Sequence, residues 1–117
     1  MALSRSTIAS SNNPVVGKLR AAKSLINTPA KWFQGGFGHV FRVDGGEPMY
    51  DKLCMYGAVS MACRSDSYLV TFMERAWSFL TRVVGGPPSL WNDDPKRTHA
   101  EVMEAFDKAI ALAEAEA

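Results

Sequence analysis

The chain has 117 residues, of which 47% are apolar and 21% charged, and a formal net charge of +1. That length bounds it to one domain with a real but modest core. The near-neutral balance gives no general electrostatic case for nucleic acid, and no apolar run reaches the roughly 18 residues needed to span a membrane.

Residues 1–13 are polar, rich in Ser and Asn, and read as a disordered tail. A single helical domain is expected over residues 14–117. Pro14 can open a helix, because its missing N–H would be unpaired in the first turn anyway. Val15, Val16, Leu19, Ala22, Leu25 and Ile26 then form a helical stripe, with Lys18, Arg20 and Lys23 off it. Asn27-Thr28-Pro29 ends that helix, and a short second turn is expected through Lys31 and Trp32.

Gln34-Gly35-Gly36 is a loop. Phe37, His39, Phe41 and Val43 alternate with Gly38, Val40 and Arg42, which is the period of a strand. Asp44-Gly45-Gly46 is a tight-turn signal, and Glu47-Pro48-Met49-Tyr50 can return as a short arm. A second helix is expected from near Asp51 to about Arg64, with Leu53, Gly57, Ala58, Met61 and Ala62 on one face. Its small residues would admit another helix closely. If that helix carries both Cys54 and Cys63, nine residues rotate them by about 900°, onto opposite faces. They then cannot bond each other, and free thiols fit a reducing, cytoplasmic compartment.

Ser65-Asp66-Ser67 reads as a break. Tyr68 to Val84 is then a strongly amphipathic third helix. Leu69, Phe72, Met73, Ala76, Leu80 and Val83 face in, while Thr71, Glu74, Arg75, Ser78 and Arg82 face out. Gly85-Gly86-Pro87-Pro88 stops it, and Trp91 is expected to fold back on the core. Asn92-Asp93-Asp94-Pro95 is turn chemistry. Thr98 followed by Glu101 is a capping box, in which the two side chains satisfy each other's orphan backbone amides. Val102, Phe106, Ala109, Ile110 and Ala113 form the inward face of a last helix.

The charge is unevenly placed. Residues 1–43 hold six cations and no acid, whereas residues 98–117 hold five acids and only Lys108. This could steer a nucleic acid or an acidic partner, or it could bring the two terminal helices together; the second reading is favoured.

The candidates for chemistry are few. Cys54 near a helix start, with His99 as base and Asn92 or Asp93 orienting the ring, would suffice for nucleophilic catalysis. The bland alternative is a structural Cys54 and a solvated His99. Two distant histidines and two cysteines lack metal-ligand spacing, so no metal is expected. The glycines of residues 35–38 lack the Lys-Ser/Thr and following helix of a phosphate loop, and no cofactor is implied. Asp93, Arg97, His99 and Asp107 belong to the densest polar set and are the candidate binding residues. Arg97 is expected to bridge to Asp93 or Asp94 and hold the turn.

Several motifs line up with a known pattern. They are Leu19, Arg20 and Ala22; Trp32, Gln34 and Gly35; Cys54, Gly57 and Ala58; then Asn92, Asp93, Pro95, Arg97, Thr98, His99 and Val102, with Phe106, Asp107, Ala109 and Ile110. Over roughly residues 18–115 the chain resembles an uncharacterised domain family of bacteria and bacteriophages. Members of that family usually carry glycine where Lys96 stands. The resemblance implies a bacterial or phage cytoplasmic setting and no activity.

The fold class is therefore mainly α: a small bundle of about four helices with a short β-hairpin or extended loop. The leading function is a non-enzymatic protein-interaction module, such as a phage or mobile-element accessory protein acting on a host protein. The alternatives are a small Cys-dependent hydrolase or transferase using Cys54 and His99, and nucleic-acid binding through the basic N-terminal half. No membrane association is expected, and homo-oligomerisation stays open. Replacing Thr98 by Ala should cost about 1 kcal/mol if it is the cap; an unchanged thermal midpoint would contradict the assignment.

Overall fold

The computed structural model describes residues 14–64 and 69–116. The expected tail, the break at Ser65-Asp66-Ser67 and the helix start at Tyr68 lie outside the described residues. Helix α1 spans Pro14–Leu25. Val15, Val16, Leu19, Ala22 and Ile26 are buried, but Leu25 is 41% exposed. At about 100° per residue Leu25 lies well off the stripe begun by Leu19, and Ile26 takes the inward position instead. A single 3-10 turn, Pro29–Lys31, follows the extended Thr28.

Strands β1, Gly38–Asp44, and β2, Glu47–Leu53, form an antiparallel hairpin. Gly45 and Gly46 both have positive φ, at 55° and 87°. That is the geometry of a primed two-residue turn, which matches strand twist and needs residues without a Cβ. In such a turn Asp44 and Glu47 form the hydrogen-bonded pair. Their neighbours Val43 and Pro48 are opposite one another, so they are a non-hydrogen-bonded pair whose backbone groups point outward. Pro48 thus costs the ladder nothing, and it leaves the outer edge of β2 without a donor there. The outer edge of β1 carries no proline and keeps its donors, although Phe41 has no partner on β2 and bulges the strand there. The register slips between His39 and Val40 and again between Val40 and Arg42.

Helix α2 spans Met55–Cys63. The sequence places its start near Asp51, but β2 continues to Leu53 and Cys54 is the N-cap, its sulfur accepting the Gly57 N–H at 3.3 Å. Helix α3 is Leu69–Val84, with Ala76, Phe79 and Leu80 buried and Thr71, Glu74, Arg75, Ser78 and Arg82 exposed as expected. Pro87 and Pro88 do more than stop α3. Proline is favoured at a first helical position, and Pro88 opens a short helix α4, Pro88–Asn92, that the sequence pattern does not reveal. Helix α5 is His99–Ala115, opened by the complete Thr98 and Glu101 capping box.

The described residues are therefore mainly helical, with five helices and one hairpin, and do not form a four-helix bundle. Leu19, Ile26, Met55, Leu80, Val102 and Phe106 are fully buried in one core shared by α1, α2, α3 and α5. The terminal helices do meet: Lys23 lies 2.7 Å from Asp107, and Arg20 pairs with Glu114. These exposed pairs are worth about 0–1 kcal/mol each, so they set orientation while apolar burial supplies the stability. Cys54 and Cys63 are both buried free thiols. No helix among the described residues is long and apolar enough to cross a membrane.

Gly57 serves the hairpin and not a second helix. A Cβ there would sit 2.4 Å from the carbonyl oxygen of Phe37, the same oxygen that accepts the Cys54 N–H at 2.9 Å. Gly57→Ala should destabilise by roughly 1–3 kcal/mol, as overpacking does. Gly17→Ala, whose Cβ would meet nothing within 4 Å, should be neutral or stabilising. Urea midpoints of the two variants falling in the opposite order would contradict this.

Candidate functional site

The corner between the α1–β1 connection and the α4–α5 turn gathers most of the polar residues singled out above. At its centre Asn92 is fully buried. Its Oδ1 accepts the indole N–H of Trp32 at 2.8 Å and the backbone N–H of Met55 at 3.2 Å. Its Nδ2 donates to the Phe33 carbonyl at 3.1 Å and to Asp93 Oδ1 at 2.8 Å. A side-chain amide has two donors and two acceptor sites, so all four are used.

The same two stretches are laced together around it. Gln34 Nε2 donates to the carbonyls of Asn92 at 2.9 Å and Asp94 at 2.8 Å. The Gly35 N–H donates to Asp93 Oδ1 at 3.0 Å, from a backbone with φ of +91° that favours glycine. Phe33 N–H reaches the Leu53 carbonyl at 3.0 Å, which ties in the end of β2. Lys96 N–H donates to Asp94 Oδ1 at 2.9 Å, which closes an Asx turn.

Arg97 is a clamp on the turn. Its guanidinium lies 3.7 Å from the centre of the Trp91 ring, and its Nε donates to the Trp91 carbonyl at 2.9 Å. Its carboxylate neighbours are Asp94 at 3.8 Å and Glu101 at 3.6 Å; Asp93 instead holds Gly35 and Asn92. The backbone N–H of Thr98, with Arg97 beside it, keeps the Glu101 carboxyl below its usual pKa. His99 is half-buried, not solvated. Its Nε2 is 2.7 Å from the Ile26 carbonyl and must donate, since a carbonyl only accepts. It thereby occupies an orphan acceptor just past the end of α1, and its ring centre is 6.2 Å from that of Trp32.

The nucleophile candidates are each committed to the chain's own backbone. The Cys54 sulfur takes the Gly57 amide, His99 takes Ile26, and Asn92 orients Trp32 and α2. Burial pushes the Cys54 thiol upward, and the Asp93 carboxylate adds to the rise, against the lowering by the Gly57 and Tyr56 amides. An activated cysteine needs the opposite shift. Asp107 stands apart, on the seam between α1 and α5 with Lys23. Among the described residues no three of His, Cys, Asp and Glu converge to hold a metal ion. Trp32, Gln34 and Gly35 carry half of the corner without appearing among the sequence-derived candidates. The signal that could have found them is their place in the Trp-x-Gln-Gly motif beside the Asn-Asp-x-Pro motif.

The accessible feature is elsewhere. In β1, Val40, Phe41 and Val43 are 43%, 54% and 62% exposed, and Met49 of β2 is 38% exposed. The hairpin is anchored at its base, where Phe37 packs on Tyr50 at 5.1 Å and on Tyr56 at 6.0 Å between ring centres. Of the two cations of α1 facing α5, Arg20 and Lys23, both are matched by acids of α5.

The model of DUF6197, a family of unknown function, matches residues 10–112, and the chain belongs to that family. No curated protein and no solved structure matches the chain.

Asn92→Ala should lower stability by about 2–4 kcal/mol, since it strands the buried Met55 N–H and the part-buried Trp32 Nε1–H, at roughly 1–3 kcal/mol each. A loss under about 1 kcal/mol in chemical unfolding would show that water replaces the amide.

Proposed function

Starting from that membership, we propose that the chain is a non-catalytic protein-interaction module that takes an extended segment of a partner protein onto the outer edge of β1. The observation that supports this most is the pairing, among the described residues, of a strand edge that no further strand covers with exposed apolar side chains. An edge strand presents unpaired N–H and C=O groups that template another strand. Recognition of that kind draws affinity from the main chain and specificity from alternate side chains. Val40, Phe41 and Val43 supply the side chains. Pro48 disfavours the other edge, so the partner is directed to β1. The polar corner, by contrast, has its donors and acceptors satisfied internally and serves to hold the hairpin base.

The setting we propose is a bacterial or bacteriophage cytoplasm, with the module as an accessory protein acting on a host protein. The motif resemblance supports that setting, and the buried free thiols Cys54 and Cys63 are compatible with it.

The test uses the tagged full chain in a bacterial host, with a photoreactive group at position 41. The proposal expects one partner to crosslink from position 41 and to be lost with Phe41→Glu. Val43→Pro removes an outward N–H while leaving the inner ladder intact, and should weaken capture by about tenfold, as the loss of one or two hydrogen bonds does. Equal capture by Val43→Pro, with the fold unchanged by circular dichroism, would overturn strand addition.

A further inference from the structure

A second feature lies away from β1. An open groove of about 270 Å³ runs between α2 and α3, lined by Tyr56, Val59, Val70, Met73, Glu74 and Trp77. That is room for about nine waters at their liquid share of about 30 Å³ each, the size of a small organic molecule. Val59 forms a buried floor, while Val70 on the rim is 65% exposed. The Tyr56 and Trp77 rings stand 5.4 Å apart between centres with their planes at 88°, so they form a right-angled aromatic corner.

Among the described residues the charge in this groove is of one sign: Glu74 is the single carboxylate of the lining, and no described cation lines it. Among the described residues Glu74 has no ion-pair partner, although every acid of α5 does. Aromatic faces attract organic cations through their ring quadrupoles, and tryptophan does so best. A neighbouring carboxylate adds to that attraction, and an apolar floor rewards an apolar body on the ligand. An anion would meet the same charge as its own, and a purely apolar ligand would leave the carboxylate without a counterpart.

We infer that the groove between α2 and α3 binds a small, free alkylammonium: a monovalent organic cation whose charged head sits in the corner of Tyr56, Trp77 and Glu74 and whose apolar chain lies on Val59 and Met73. This site is separate from the β1 edge and stands whether or not a protein adds there.

The experiment titrates the full-length chain with hexyltrimethylammonium, hexanol and hexanoate at low salt, following backbone amides and the Trp77 indole N–H by NMR. The ammonium should give saturable shifts confined to the groove, at Tyr56, Val59, Met73, Glu74 and Trp77, and should bind tighter than either of the other two. Glu74→Gln should weaken it by about two- to fivefold, as an exposed ion pair does, and Trp77→Leu by roughly tenfold. Added salt should weaken the wild type and leave Glu74→Gln nearly unaffected. Equal binding of hexanol, unchanged affinity in Glu74→Gln, or the absence of saturation would overturn the proposal. A short lysine-containing peptide that binds tighter than the free ammonium would also overturn it, by assigning the groove to a partner's side chain.

Discussion

Asn92 has no exposure to solvent, and its amide makes four hydrogen bonds, three of them to two distant stretches of chain and one to the neighbouring Asp93. Burying an amide without partners would cost several kcal/mol. Two stretches must therefore come together at the end of α4: Trp32 and Phe33 before β1, and Met55 at the head of α2. The position of the hairpin follows. Its base is held by Phe33 on Leu53 and by Cys54 on Phe37, and Gly57 permits the close approach that these bonds require. An apolar residue of similar shape at position 92 would leave the Trp32 indole and the Met55 amide buried and unpaired.

Around this junction the charged side chains act as braces. Arg97 sits over the Trp91 ring and links the α4–α5 turn to the capping box. His99 reaches back to Ile26, just beyond the last residue of α1. Lys23 with Asp107 and Arg20 with Glu114 align the two terminal helices. The unequal distribution of charge along the chain thus has a partner within the fold, and Arg20 and Lys23 do not present bare charge to an external polyanion.

What could be read from the sequence was local. Thr98 and Glu101 are three residues apart and satisfy each other, so the start of α5 was visible. The turn at Gly45 and Gly46 and the period of α3 were visible for the same reason: a few neighbouring residues decide them. Three features escaped. Cysteine is not a customary cap, so Cys54 hid the boundary between β2 and α2. The prolines after α3 read as a stop and concealed the start of α4. The pairing of Trp32 with Asn92 spans 60 residues, and neither periodicity nor propensity reports a contact at that separation. Polar richness marks the Asn92 corner as a candidate site in the sequence, and only the structure shows how many of those groups bond one another.

A junction closed in this way commits its polar groups to the fold, and the partner and the ligand proposed above are placed on the exposed hairpin and in the groove between α2 and α3. The central claim is that the Asn92 amide is a permanent lock. Native-state hydrogen exchange of the Trp32 indole N–H and the Met55 amide tests it most directly. If the lock opens only when the whole domain unfolds, both protons exchange with the free energy of the slowest core amides of α5. Exchange of either proton orders of magnitude faster than those amides would contradict it.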